Sequence, residues 1–255
     1  MQKKIEIHPN YKTIGAELKS TISTFDSYED ILGDGDRNVI KVVGLGTKKY
    51  TIKSFKIPNF INQVVYRFFR KSKAERSYQY ANKLLELGIN TPFPVAYQIE
   101  GSSLLFKKSF YISELVSCDL TYRELSSNLD LPNHEDMLRA FTRFTHDLHK
   151  NGINFLDHSP GNTLIKKVGN DYEFYLVDLN RMNFGEMDFE TRIKNFSKLT
   201  IHESIVRVMS NEYSKCTGED ENTIFNLMWA ETQEFQERFY RKKRWKNRIL
   251  FWRKK

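Results

Sequence analysis

The sequence predicts an α+β fold of two lobes, a β-rich N-terminal lobe and a helical C-terminal one. Three observations carry this expectation. Short β-branched and aromatic runs, punctuated by Gly, Asp and Asn, fill much of residues 21–114. Beyond residue 117 apolar residues recur at helical spacing, most clearly at Met137, Leu138, Phe141, Phe144, Thr145 and Leu148. One hairpin pattern, at 163–177, interrupts that helical half. With 255 residues and 40% hydrophobic content, the chain is long enough for a real core in one large or two-lobed domain. The expected boundaries are 1–116, 117–237 and a basic aromatic tail, 238–255.

In chain order, residues 1–10 are Lys-rich without an apolar run, so no signal peptide is expected, and no apolar window reaches the length of a membrane span. Residues 33–38 form a turn cluster, followed by a strand at 39–43, a turn at 44–46 and a strand at 50–55. Asp34, Asp36 and Asn38 begin like a calcium loop, but Val39 stands where glycine is needed and no glutamate follows at the twelfth position. Gly33 and Gly35 read better as a flexible turn able to cover nucleotide phosphates. Strand alternation puts Lys53 and Lys56 on opposite faces, so only one can point inward to a phosphate; Lys53 is the choice.

A helical pattern follows Pro58, with Val64, Val65, Phe68 and Phe69 as one apolar cluster. Ser72 suits an N-cap, with Glu75 three later as in a capping box. Glu75 therefore has two readings, a box partner or the helix acid that pairs with Lys53. Gly88 ends the helix, residues 90–94 form an extended link, and strands are expected at 95–99 and 104–114. The stretch from Glu114 to Val116 is where a hinge would lie and where adenine would meet backbone groups. Cys118 and Cys216, the two cysteines, have no metal-like spacing and read as small buried hydrophobes in a reducing cytosol.

Asn133 is the expected cap of a helix that runs to Asn151, with His146 and His149 as packed structural residues. Gly152 stops it. A loop then holds Asp157, Pro160, Gly161 and Asn162, a strand covers 163–165, a return strand covers 172–177, and Asp178 sits at its end. That hairpin would bring Asp157, Asn162 and Asp178 to one end. Phosphoryl transfer needs a carboxylate to take the acceptor proton and oxygen ligands for the Mg²⁺ that bridges the ATP phosphates. An Asp, an Asn five positions later and an Asp after the next strand have that arrangement. Asp188 caps a further helix, and residue 219 begins a long one.

The net charge of +8 is uneven: residues 238–255 carry ten Lys and Arg and no acid, so the rest sums to −2. Phe239, Trp245, Ile249 and Trp252 recur among these cations. The pattern suits an amphipathic helix on an anionic membrane; nucleic-acid binding and a solvated end are the other readings.

In order, the Gly-rich turn, strand lysine, helix glutamate, hinge, Asp157–Asn162 loop and Asp178 strand end resemble the protein-kinase-like fold over roughly residues 20–200. More narrowly, the chain resembles the bacterial lipopolysaccharide kinase (Kdo/WaaP) family. Three stretches carry that likeness: Ser72 to Glu75 with Gly88 to Pro94, Asp157 to Asn162, and Leu176 to Arg181. The resemblance implies ATP-dependent phosphorylation of an inner-core sugar, Kdo or heptose, with Asp157 as base, Asn162 and Asp178 as Mg²⁺ ligands and Lys53 as the phosphate lysine. Protein-kinase features are missing: no His-Arg precedes Asp157, no glycine follows Asp178-Leu179, and there is no Ala-Pro-Glu. Ser77 stands where family members often carry the helix acid, which leaves the partner of Lys53 open. The expected protein is a cytosolic sugar kinase that touches the inner face of the inner membrane through its tail and acts on a lipid-linked sugar acceptor. A protein kinase and a non-catalytic kinase-like module are the rivals.

Overall fold

The computed structural model describes residues 2–32, 38–102 and 104–249. Gly33 and Gly35 lie outside the described residues, as does Trp252 with the rest of 250–255. The chain divides into two compact units, residues 1–117 with 175–181, and residues 118–174 with 182–255.

The first unit is built on one antiparallel sheet. Its strands are β1 (Gln2–Ile7), β2 (Ile31–Leu32), β3 (Asn38–Leu45), β4 (Lys48–Phe55), β5 (Pro94–Gly101) and β6 (Phe106–Glu114), in the order β1-β5-β6-β4-β3-β2. Gly46 turns β3 into β4 with φ at +58°, a conformation that costs glycine little. Along β4 the pleat sends Tyr50 and Ile52 to one face, where they bury against Leu18 and Ile22 of α1 (Gly15–Ser23), Phe110 and Ile112. Thr51, Lys53 and Phe55 take the opposite face. Lys53 is in register with Tyr111, and Tyr111 with Tyr97. Tyr97 packs on Tyr78 of α3 (Lys73–Glu86), with ring centroids 5.3 Å apart. The lysine thus shares the sheet face that α3 covers. Between β4 and α3 lies α2 (Phe60–Phe68).

The second unit has the helical core. It contains β7 (Leu120–Thr121), α4 (Tyr122–Ser127), α5 (His134–Lys150), β8 (Ile153–Phe155), β9 (Thr163–Val168), β11 (Met182–Phe184), α6 (Phe189–Lys194), α7 (Glu203–Thr217) and α8 (Glu221–Ile249). Strand β10 (Asp171–Leu176) continues across the division at 174/175. The stripe of α5 buries Leu138 and Phe141 with Tyr122, Phe196, Met209 and Tyr213. Glu212, buried on α7, is held by Arg139 at 3.0 Å and by Arg143 at 2.5 Å, so its charge is not left unpaired.

Several expectations need correction. Residues 21–23 end a helix rather than begin a β region, and β1 was not foreseen. Phe68 and Phe69 are exposed, and α2 buries no residue. Cys118 is exposed, since it sits at the start of the second unit ahead of the short strand β7. Asn133 precedes α5 in left-handed backbone, φ 57°, and makes no side-chain cap bond. Residues 175–181 cluster with the first unit, because Leu176 N–H donates to Asn90 O (3.0 Å) and Thr91 Oγ1 donates to Leu176 O (2.7 Å). No break separates a tail at 238, because α8 runs on to Ile249.

Candidate active site

In the first unit, Lys53 Nζ donates to Asp178 Oδ1 at 2.5 Å. The lysine side chain is only 12% exposed, so this pair is shielded from water more than a surface ion pair would be. The Lys53 ammonium also lies 5.3 Å from the Phe55 ring centroid. The same Asp178 oxygen accepts from Asn180 Nδ2 at 2.7 Å. Asp178 has φ 58°, left-handed backbone in which a side chain other than glycine's is strained. Such strain persists only where neighbours over-determine it, and it concentrates at functional sites. Here Thr91, Asn90, Lys53 and Asn180 supply the restraint.

Helix α3 faces this pair with cations. Burial and the charges of Arg181, Arg76 and Lys53 hold Lys73 below the ordinary lysine range, with Asp178 opposing them. Arg76 is buried, and its Nε has no hydrogen-bond partner. Glu75 donates its backbone N–H to Ser72 Oγ at 3.1 Å, one half of a capping box, and its carboxylate enters no ion pair among the described residues. Ser77 is buried on the same helix. Lys56 lies past the end of β4, exposed. It lines a cavity of about 320 Å³ with Lys73, Asn59, Asn62, Tyr66 and Ser109.

The hinge stretch is anchored at one end. Glu114 Oε1 accepts from Tyr11 Oη and Lys48 Nζ, both at 2.6 Å. Burial pushes the Glu114 carboxyl up, but these two bonds outweigh it and hold the group below its ordinary range. Leu115 N–H donates to Lys49 O at 3.0 Å, and Val116 makes no backbone–backbone bond among the described residues.

In the second unit, Asp157 is half-buried on the loop after β8. Asn162 Nδ2 donates to Asp157 O at 2.8 Å and to Ser159 Oγ at 3.1 Å. Both amide protons are thereby committed, and the amide oxygen is left as the donor atom for a ligand. A Cβ at Gly161 would meet the Arg123 guanidinium at 2.8 Å, so the arginine lies against this loop and would have to shift for a larger residue. Asn195 holds the loop from behind. Its Nδ2 donates to Asn154 Oδ1 and Phe155 O, each at 3.0 Å. Its Oδ1 must then accept, from His158 Nδ1 at 3.0 Å and His149 Nε2 at 3.3 Å. His149 Nδ1 in turn accepts from the Tyr213 hydroxyl at 2.9 Å. Burial pushes His158 down to about 4 and His149 to about 3, so both rings are neutral at pH 7.

Lys73, Arg76, Asn180, Arg123 and Asn195 were not singled out from the sequence. Asn180 has a local signal, an amide two residues after the strand-end Asp. Asn195 has none, since its partners are 37–46 residues away.

A search of curated proteins gave no match. Among solved structures the chain is similar to "WaaP in complex with acyl carrier protein", at TM-score 0.59 and 16% identity, covering 95% of this chain and 99% of that one. A MAP kinase from Leishmania major aligns at TM-score 0.48 and 13% identity over 83% of this chain and 64% of its own, too distant to carry an argument. The fold is protein-kinase-like, a β-sheet N-terminal region with a helical C-terminal region. The family model of the lipopolysaccharide kinases (Kdo/WaaP) matches residues 36–220, a span that contains Lys53, Glu114, Asp157, Asn162 and Asp178. The chain belongs to the lipopolysaccharide kinase (Kdo/WaaP) family, and is thus a phosphotransferase of lipopolysaccharide core biosynthesis.

Proposed function

We propose that this chain moves the terminal phosphoryl group of ATP to a hydroxyl of an inner-core sugar, Kdo or heptose, on a lipid-linked glycan. The observation that carries the reading is the shielded Lys53–Asp178 pair, with Asp178 strained into left-handed backbone. A phosphate-binding lysine and a metal-binding carboxylate are the two charges this chemistry must hold near each other.

Each of the two candidate Mg²⁺ ligands, taken in its own unit, keeps an oxygen that suits the ion. Asn162 offers its amide oxygen, and Asp178 offers Oδ2, which takes no part in the bonds to Lys53 and Asn180. Hard oxygen donors in small number suit this ion, which keeps water and phosphate oxygens for the rest of its shell. Bound Mg·ATP would supply an electrophilic phosphorus with its charge partly neutralised.

The chain's own residues do the remainder. Lys53 holds the α/β-phosphates. Backbone groups from Glu114 to Val116 receive adenine. Asp157 takes the acceptor proton as the sugar oxygen bonds to phosphorus; the bond to the ADP oxygen breaks, and ADP leaves with the electron pair. Asn195 and the neutral His158 keep the Asp157 loop in place. Glu75 acts in starting α3, and Lys53 has Asp178 as its counter-ion.

Among the described residues no helix is long and apolar enough to cross a membrane. Peripheral attachment at the cytoplasmic face of the inner membrane, through the basic aromatic tail, is the reading that reaches a lipid-linked acceptor. Phe239, Tyr240 and Trp245 are exposed on α8, as that reading requires. Nucleic acid has no role in it.

The test is phosphoryl transfer from ATP and Mg²⁺ to a lipid A precursor carrying Kdo, beside a generic protein acceptor. Transfer to the glycolipid supports the reading. Transfer to protein alone favours an unconventional protein kinase, and transfer to neither favours a binding module. Asp157→Ala should lower turnover by about 10²–10⁴-fold with ATP affinity kept; near-normal turnover in this variant would remove Asp157 from its role.

A further inference from the structure

We propose that α2 is a membrane-inserting element of the first unit, separate from the tail. The helix buries none of its residues and turns large apolar side chains to water. Asn59, Asn62 and Tyr66 line the cavity beneath it, and the Tyr66 ring lies 5.6 Å from Phe106. Its outward side carries Phe60 (66% exposed) and Ile61 (72%), with Ile57, Phe68 and the capping Phe69 (82%) beside them. Within the helix Phe60, Ile61 and Phe68 stand one, seven and eight residues apart and share one side, with Phe69 at its C-cap and Ile57 just before its start. Together they leave a large apolar patch uncovered, which soluble monomers rarely tolerate.

The surrounding charge identifies the occupant as an anionic bilayer. Residues 56–72 hold Lys56, Arg67, Arg70 and Lys71 and no acid. Arg67 and Lys71 donate to the neutral amide oxygens of Gln2 and Gln79. The stripe runs about 12 Å from Phe60 to Phe68, at 1.5 Å per residue, on a single convex helix. Such a helix lies flat at the headgroup boundary, with its cations among the phosphates. Asn59, whose side chain accepts from Asn62 N–H at 3.0 Å, keeps the helix start ordered before any lipid arrives, so less conformational freedom is lost on insertion. The tail repeats the same chemistry, and stable attachment by weak interfacial elements takes two signals.

The experiment is co-sedimentation of the full chain with vesicles of phosphatidylglycerol and phosphatidylethanolamine, and with pure phosphatidylcholine, in the absence of ATP and acceptor. The outcome therefore does not depend on which sugar, if any, is phosphorylated. Phe60→Ser, Ile61→Ser and Phe69→Ser combined should weaken partition to the anionic vesicles by at least about tenfold. A tail variant, Arg241→Gln with Lys242→Gln, Lys243→Gln and Arg244→Gln, serves as the comparison. Parental binding by the serine variant overturns the proposal and leaves the tail alone. Equal pelleting on phosphatidylcholine overturns the anionic bilayer as occupant. As a folding-independent readout, Ile61→Cys in a background of Cys118→Ser and Cys216→Ser takes an environment-sensitive dye. A blue shift on the anionic vesicles supports insertion; no shift, or a shift produced only by an acidic protein, overturns it.

Discussion

Lys53→Ala against Lys56→Ala is the sharpest comparison, because the two lysines are three residues apart and differ in almost every physical respect. Lys53 is 12% exposed and bonded to Asp178; Lys56 is exposed beyond the strand end. A hydrogen bond to a charged group contributes about 1.5–3 kcal/mol. If Lys53 transfers that interaction to an ATP phosphate, its loss should weaken Mg·ATP binding by roughly 10- to 150-fold, at about 1.4 kcal/mol per tenfold. Lys56→Ala, which gives up a solvated charge, should change the affinity by less than about threefold. Isothermal titration of ATP at fixed Mg²⁺, with the melting temperature followed in parallel, measures both. The thermal control matters, because Lys53→Ala also removes the counter-ion of the Asp178 carboxylate and leaves it the Asn180 amide. A larger effect at Lys56, or a loss at Lys53 no greater than at Lys56, would refute the assignment and move the phosphate site by an odd number of residues along the strand.

Two further outcomes follow from the second unit. His149 and His158 have folded values near 3 and 4, below the ordinary 6.5, so the unfolded chain binds more protons below that value and stability is lost as pH falls from about 6.5 towards 4. The expected slope is about 1.4 kcal/mol per pH unit for each imidazole; urea melts at stepped pH check it, and a flat profile between 6 and 4.5 contradicts the neutral assignment. Gly152→Ala should cost about 1–2 kcal/mol from its φ of +66° alone, and more because the new Cβ meets Gly185 O at 2.7 Å. A melting temperature equal to the parent's would show that this approach relaxes freely.

The strands around Lys53 and the α5 stripe were legible because each obeys one period over several residues. Helix α1 was not, since only Leu18 and Ile22 mark its buried side in a stretch of Ser, Thr and Lys. Strand β1 offered just Ile5 and Ile7 between polar residues, the pattern of an exposed edge. Periodicity grouped Val64, Val65, Phe68 and Phe69 correctly as neighbours on a helix, but it says nothing about what covers them. The Lys53–Asp178 pair spans 125 residues, and no local rule reaches that far. The sequence reading looked for the partner of Lys53 on α3, where Ser77 had removed the acid, and the chain instead uses the strand-end aspartate.

That substitution changes the electrostatics of the whole cluster. Lys53, Arg76 and Arg181 act on Lys73 as like charges and Asp178 as the opposing one, and a serine at 77 adds no acid. The charge of a bound polyanion would be favourable beside such cations. Its present cost is visible at Lys73, which burial and its cationic neighbours push below the ordinary lysine range. A bound triphosphate would bring several negative charges to the same place, so the pKa of Lys73 should rise when Mg·ATP is added and stay put with adenosine. Selective ¹³C labelling of lysine methylenes, with Lys73→Arg to assign the resonance, follows this directly. An unchanged Lys73 titration at saturating Mg·ATP would mean that the nucleotide phosphates lie elsewhere, and that the cation cluster serves α3 alone.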